Sequence, residues 1–567
     1  MTRLLGISLA LVAGIAVAQP PSISAVVNGA SYVPSGLPSY GIAQGSIFVI
    51  QGGNLGPING VVATNAFQTT TLAGSSVSIT SGGSTVAALM YYSSFSQINA
   101  LLPSATPISP TAKLTVTYNN QTSAVVNISV VASNPGVFTI SSDGNGAGIV
   151  TYPDYSLVSA VKAANCGGPS TACGAANPGD TLTVWATGLG PVPLPDQSGP
   201  QPGNMANTPV TVWLGGVKIA PAYIGRSGCC IGEDQVVFVV PASVPTGCAV
   251  PLALTVGGVI THNVVIPVAN GSRNCTSSTA LVPSSAIQQI SLSSAPVQFG
   301  MIRLERLYSM MSSGGTVVYK DEGSAEFLQF SILPSIQPFV ASYFDQPAAG
   351  TCMVYESLTN NSGVNSANLP VSAVSTLDVG RSITVSGPAG TALIPVSLPG
   401  EFDGPLNIGG GVFLIPGAYT VSAPGGSGAG GFSQNFTIPP PTTLTSPTTN
   451  TTNIYATVSR ASGLTVTWAG GTAGSIVEIR VAGASDSTYT KGANVTCFVP
   501  AAAGTFTIPP SAMLSLSASP MLGPGNYVFS NLSLTNDAPS VAFTATGLTL
   551  GALSSSMESA FILLVLN

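Results

Sequence analysis

Two segments 134 positions apart carry one pattern: Gly45–Pro57, GSIFVIQGGNLGP, and Gly179–Pro191, GDTLTVWATGLGP. Each is an apolar run that ends in a turn spelled Leu-Gly-Pro, as a strand entering a tight turn would be. The likeness continues downstream. Val77–Gly83 matches Val210–Gly216 at an offset of 133, and Gln97–Pro103 matches Gln235–Pro241 at 138. Val126, Ile128 and Val130 match Val264, Ile266 and Val268. A chain that repeats itself at this interval, through short alternating strands and Gly-Gly or Asn-Asn turns, must build the same unit twice. About seven strands in a unit of ~110 residues predict an immunoglobulin-like β-sandwich. The growth of the offset by five places an insertion in the second copy, within RSGCCIGED, Arg226–Asp234. Such insertions sit at loop tips, where ligand contacts also concentrate.

The segments VVNGASYVPSGLPSYGIAQGSIFVIQGGNLGP, SQINALLP, NPGVFT, GDTLTVWATGLGP and PLALTVGGVITHNVVIPV together resemble a paired Ig-like repeat module of uncharacterised secreted bacterial proteins. That module is similar in appearance to the IPT/TIG immunoglobulin-like fold. The resemblance covers about residues 24 to 270. It implies a fold and no activity, because the module has no assigned catalytic residues.

Beyond the repeats the composition stays suited to strands and turns. Thr276–Ser285 is expected to be a linker, Gly425–Gly431 (GGSGAGG) a flexible loop, and Pro439–Thr449 (PPPTTLTSPTT) an extended, stiff linker. The C-terminal AFILLVLN is expected to be a last buried strand. The expected organisation is all-β, a tandem array of immunoglobulin-like β-sandwiches. Its parts are a signal peptide at 1–18, sandwiches at 19–132 and 133–275, a third at 276–440 and a fourth at 441–567 after the Pro/Thr linker.

Export is predicted from the N-terminus. Arg3, the apolar run Leu4–Val17 and the small-x-small motif Ala16-Val17-Ala18 form a secretory signal. No later apolar window is long enough to span a bilayer. A secreted, extracellular or cell-surface location follows, and eight cysteines in an exported chain point to disulfides. The expected bonds are Cys166 with Cys173, Cys248 with Cys275, and Cys352 with Cys497. Cys229 and Cys230 stay unassigned, since adjacent cysteines rarely bond without strain.

Only 6% of the residues are charged, 13 basic and 19 acidic, against roughly 25% in a typical soluble domain. No basic stripe could follow a phosphate backbone, which excludes nucleic acid as a partner. Catalysis lacks its usual groups. The sole histidine, His262, lies in an alternating strand pattern with Val264 and Ile266. The close carboxylates Glu401/Asp403, Asp321/Glu322 and Glu233/Asp234 sit beside glycines, as turn residues do. Asp143–Gly148 has the look of an ion loop but lacks the later carboxylates of one. No catalytic residue, metal ligand or cofactor is predicted, and the chain is not expected to be an enzyme.

The aromatic residues carry more information. Trp468 shares a strand face with Leu464 and Val466 and belongs in a core. Trp185 and Trp213 alternate with apolar neighbours and point to the outer face of the second sandwich. Each is a candidate contact, for a neighbouring domain or for a ligand. These features point to a non-catalytic secreted or surface binding and adhesion protein engaging polysaccharide, matrix or another cell. The alternatives are a structural matrix or filament subunit, which would self-associate, and a secreted hydrolase with an unrecognised site.

Overall fold

The computed structural model describes residues 19–163, 173–198, 205–261, 264–277, 279, 282, 284–291, 294–309, 318–357, 371–407, 411–449, 454–489 and 491–567. The signal segment 1–18, Cys166 and His262 lie outside the described residues. The protein is all-β, built of tandem Ig-like sandwiches, with short helices at Ser284–Ser291, Val340–Phe344 and Pro510–Met513.

The repeat is visible strand by strand. Ile47–Gly53 and Thr181–Thr187 occupy the same span of the two copies, as do Ser109–Tyr118 and Gly247–Val256. Ile47–Gly53 pairs with Gln97–Leu101 in the register that Thr181–Thr187 keeps with Asp234–Val239. One register slides. Val116 faces Val77 in the first copy, whereas Leu254 faces Val212 in the second, a shift of two residues relative to the aligned turns. A slip of two keeps every side chain on its own face, so both copies still bury their apolar rows. Val77, Ile79, Leu114 and Val116 are buried in one core, and Val212, Leu214, Leu252 and Leu254 in the other.

The C-terminal half is organised differently. Thr351–Ser357, Gly492–Pro500, Ile476–Ala484, Ser530–Asp537, Leu550–Leu566, Val297–Ser309 and Val318–Ile332 are consecutive neighbours in one sheet, which continues into Glu401–Pro405 and Gly390–Leu398. The last strand, Leu550–Leu566, runs parallel to Val297–Ser309, with Phe299 opposite Leu550 and Arg306 opposite Met557. Sheet pairing therefore crosses the boundary expected near residue 440. One face of this sheet is buried under two covers. Strands from Ser382 to Ile438 fold over Ile302, Leu304 and Phe327. Thr442–Ser446, Leu464–Gly470 and Thr505–Ile508 lie over Val477, Ile479 and Leu532, with Trp468 in that core.

Three connections expected to be linkers or a flexible loop are built into the fold. The Pro/Thr segment supplies the strand Thr442–Ser446, paired with Leu464–Gly470, because its alternating Thr-Thr-Leu-Thr suits a strand more than its flanking prolines oppose one. Gly425–Gly431 is a hairpin end in which Gly425 faces Gly430. Its Ser427 N–H and hydroxyl donate to Asp378 Oδ2, and Gly428 N–H and Ala429 N–H donate to the Asp378 carbonyl. Within the supposed linker after Cys275, Thr279 and Val282 are buried, and Val282 belongs to a core cluster with Ile290 and Val340.

Three disulfides are present among the described residues. Cys248 bonds Cys275 and Cys352 bonds Cys497, as the sequence suggests. Cys352 and Cys497 stand directly opposite on adjacent strands. Cys229 and Cys230, left unassigned from the sequence, are bonded to each other.

Candidate functional site

The Cys-Cys insertion is a joint between the two copies rather than an outlying loop tip. Ile231 packs against Ile47, Phe67, Leu89 and Leu101 of the first sandwich. Ile47 N–H donates to Thr187 Oγ1 at 2.9 Å, and the Thr187 hydroxyl donates to the Gly232 carbonyl at 2.7 Å. At the base of the insertion Arg226 and Asp234 form a buried ion pair, Nη1 to Oδ1 at 2.6 Å. Arg226 Nη2 also donates to the Gly190 carbonyl, and Leu189 N–H donates to Asp234 Oδ2. The pair thus clamps the Leu-Gly-Pro turn of the second copy. Burial pushes the Asp234 carboxyl up to about 6, against the opposing pull of Arg226 and of the Leu189 and Gly188 N–H groups. Ser104 of the first copy adds a second clasp, donating from N–H and Oγ to the two oxygens of Asp196.

Cys229, Cys230 and Glu233 place their donor atoms close together, the one such group of metal-type ligands among the described residues. Both sulfurs are committed to the disulfide. The turn at Asp143 is closed by its own side chain, whose Oδ1 accepts from Asn145 N–H and Ser141 Oγ.

Trp185 and Trp213 belong to different sheets of the second sandwich. Leu182 and Val184 on one strand, and Val212 and Leu214 on the other, point into the shared core. The two indoles therefore leave from opposite outer faces and do not form one surface. Trp185 is half-buried, with Nε1–H donating to Thr151 Oγ1 at 3.0 Å and the Tyr155 ring 6.3 Å away. Trp213 is half-buried too, and its Nε1–H donates to Thr255 Oγ1 at 3.3 Å.

The charges are gathered elsewhere. On the face of the C-terminal sheet opposite its two covers, strand parity and register align Glu401, Asp403, Glu322, Glu326, Glu305, Glu558, Asp537 and Glu478. Eight of the 19 carboxylates of the chain thus share one face, with Arg303, Lys320 and Arg480 as its cations. The second sandwich docks on the same face, where Ala249 and Val265 meet Met353. Desolvation in this setting raises the carboxyls of Glu305, Glu478, Asp537 and Glu558. For Glu478 burial is the largest cause, Arg480 opposes it, Glu305 and Glu558 add to it, and the carboxyl reaches about 7.

Near one end of this face the helix Val340–Phe344 stands over the sheet and leaves a cleft of about 390 Å³. Its apolar lining is Phe299 and Met301 of the sheet, Tyr343 and Phe344 of the helix, and Val282, and the Phe299 and Phe344 rings lie 5.4 Å apart. Its rim carries Arg303, Glu326, Glu401 and Asp403, with Ser324 and Ser397. None of those four charged side chains is in an ion pair among the described residues. Glu326 faces Glu401 directly across the strand pair, a like-charge placement that costs stability. The Glu401–Asp403 pair was legible as two carboxylates beside glycines. That Glu326, 75 positions away, joins them is a product of sheet pairing, and no local signal announced it.

No protein-family model matches the chain, and no curated protein matches it. Solved structures show distant likeness. A bacterial ice-binding adhesin, described for its retention on the host cell surface, is similar at 10% identity over 70% of this chain and 95% of its own, with a TM-score of 0.12. Domains 5–6 of the S-layer protein SbsC are similar at 14% identity over 44% of this chain and all of their own, with a TM-score of 0.16. The titin Ig tandem A164–A165 is similar at 11% identity over 44% and 97%, with a TM-score of 0.13. Scores this low carry no argument about what the chain does. The class defined by its own fold is a disulfide-bonded, all-β protein of tandem sandwiches. No helix among the described residues is long and apolar enough to cross a membrane.

Proposed function

We propose that this is a non-catalytic protein of the cell surface or extracellular space, with an adhesive role, that engages polysaccharide. The observation that carries this reading is the cleft under the helix Val340–Phe344. Aromatic and apolar side chains line it, and carboxylates outside any ion pair and a guanidinium ring its exposed mouth. Sugars are recognised in this way, with ring C–H faces against aromatic carbon and hydroxyls hydrogen-bonded to charged or amide groups at the edge. The N-terminal export signal and the disulfides support the location. Trp185 beside Tyr155 is a second aromatic surface open to a ligand, with a different outlook from the cleft.

The test is a glycan and matrix-component array probed with the intact mature protein, with hydrolysis products followed by chromatography. Retention of polysaccharide without chain cleavage supports the proposal. Cleaved product would replace it with the hydrolase reading, and assembly into fibres without retention would replace it with the structural one.

A further inference from the structure

We infer that the cleft selects sugars carrying a free, protonated amine. This rests on the polysaccharide-binding reading and names the ligand class of the same site. Three carboxylates, Glu326, Glu401 and Asp403, face one guanidinium, Arg303, so the mouth of the cleft has an excess of negative charge. An anionic sugar such as a uronate meets that excess unfavourably, whereas a cation is drawn to it. Glu326 and Glu401 are the focus. They stand opposite each other on neighbouring antiparallel strands, where Cβ atoms lie roughly 5 Å apart, and neither has an ion-pair partner among the described residues.

In a chain with so few charges, placing two carboxylates at this separation, with Arg303 as the one cation lining the cleft, works against stability. An ammonium group between them donates to both and relieves the repulsion. A bare cation would answer the charge and leave the apolar lining unused. A sugar ring bearing the amine uses both parts. Its C–H face lies on Phe299 and Phe344, its ammonium donates to Glu326 and Glu401, and its hydroxyls reach Asp403 and Arg303. N-acetylation of the amine removes the charge and adds bulk, which converts the best partner into a poor one.

The experiment is isothermal titration of the intact mature protein with a chitosan tetrasaccharide, its fully N-acetylated counterpart and a uronate oligosaccharide, and separately with calcium. The expected order is chitosan first, the N-acetylated form weaker by about tenfold or more, and the uronate without measurable heat. A combined Glu326→Gln, Glu401→Gln variant should lose about tenfold in chitosan affinity while its melting temperature holds or rises, because the substitutions remove like charges and no packing. Equal binding of the acetylated form, or chitosan affinity unchanged in the variant, overturns the inference. Calcium binding that the variant abolishes, without any heat from chitosan, also overturns it, in favour of a metal site. If the array retains other glycans and the variant retains them equally, the inference fails while the broader reading survives. If no glycan is retained at all, both fall.

Discussion

The two Leu-Gly-Pro turns have one sequence and two different surroundings. In the first copy the turn is held within its own sandwich. Leu55 is buried in that core, and its carbonyl accepts from Ser75 Oγ, which in turn accepts from Ser93 Oγ. In the second copy the turn faces the neighbouring sandwich. The Gly190 carbonyl accepts from Arg226, two residues beyond Ile224, which takes the register position of Ser93: Ser93 lies opposite Ile98, and Ile224 opposite the matching Val236. Hydroxyls thus give way to a buried guanidinium with its own carboxylate. The glycines that open the two motifs differ in the same way. A Cβ on Gly45 would run into the Arg226 guanidinium and the Ser104 hydroxyl, while one on Gly179 would meet nothing. A duplicated unit kept its backbone and turned the end of one copy into a joint.

The largest effect that would break this comparison is expected from Asp234→Ala. It leaves Arg226 buried without its carboxylate, and the loss should be about 3–5 kcal/mol. Urea denaturation reads it directly; a shift below about 1 kcal/mol would mean that the ion pair is not what holds the joint. Gly45→Ala should cost about 2–3 kcal/mol, since it combines a positive φ with the collision. Gly179→Ala should cost about 1 kcal/mol for φ alone. Equal costs in paired thermal melts would remove the asymmetry.

Glu478 sharpens the contrast from another direction. Asp234 has a cation in contact, whereas Glu478 is buried with Glu305 and Glu558 crowding it as well as Arg480 beside it. Its folded-state carboxyl lies near 7, above the ordinary value of 4.5, so the folded chain keeps a proton that the unfolded chain releases. Stability contributed by this group is full below about 4.5 and declines as pH rises towards 7. Between those limits this group should cost the wild type on the order of 3 kcal/mol, and Glu478→Gln should make the profile less steep and be the more stable at pH 8. Melting temperatures across pH 4 to 8 test this, and a parallel profile for the variant would contradict it. The smallest effect belongs to the first copy. Ser93→Ala should cost about 1 kcal/mol by leaving Ser75 short of a donor.

Much of the N-terminal half was legible because its contacts are periodic and local. Offsets between matched strands, the Gly-Gly and Asn-Asn turns, and alternation of inward residues all follow from a side-chain period of two. The same alternation placed Trp185 and Trp213 outward, but it could not say that their sheets face opposite ways. The insertion was legible as an insertion. Its role as a joint was not, because Ile231 and Gly232 acquire their meaning only from Ile47 and Leu101, far away in the chain.

What the sequence settled by itself is the all-β class, the duplication, and the scarcity of charge, because strand patterning and turn chemistry are written over a few neighbouring residues. The tertiary structure alone decided where the charges went. Glu326 meets Glu401 because Val318–Ile332 pairs with Glu401–Pro405, and Glu305 shares a face with Asp537 and Glu478 because Leu550–Leu566 lies between strands drawn from both sides of residue 440. Pairing between strands that distant depends on which edges and apolar faces remain to be covered once the local units have formed. No periodicity along the chain encodes it.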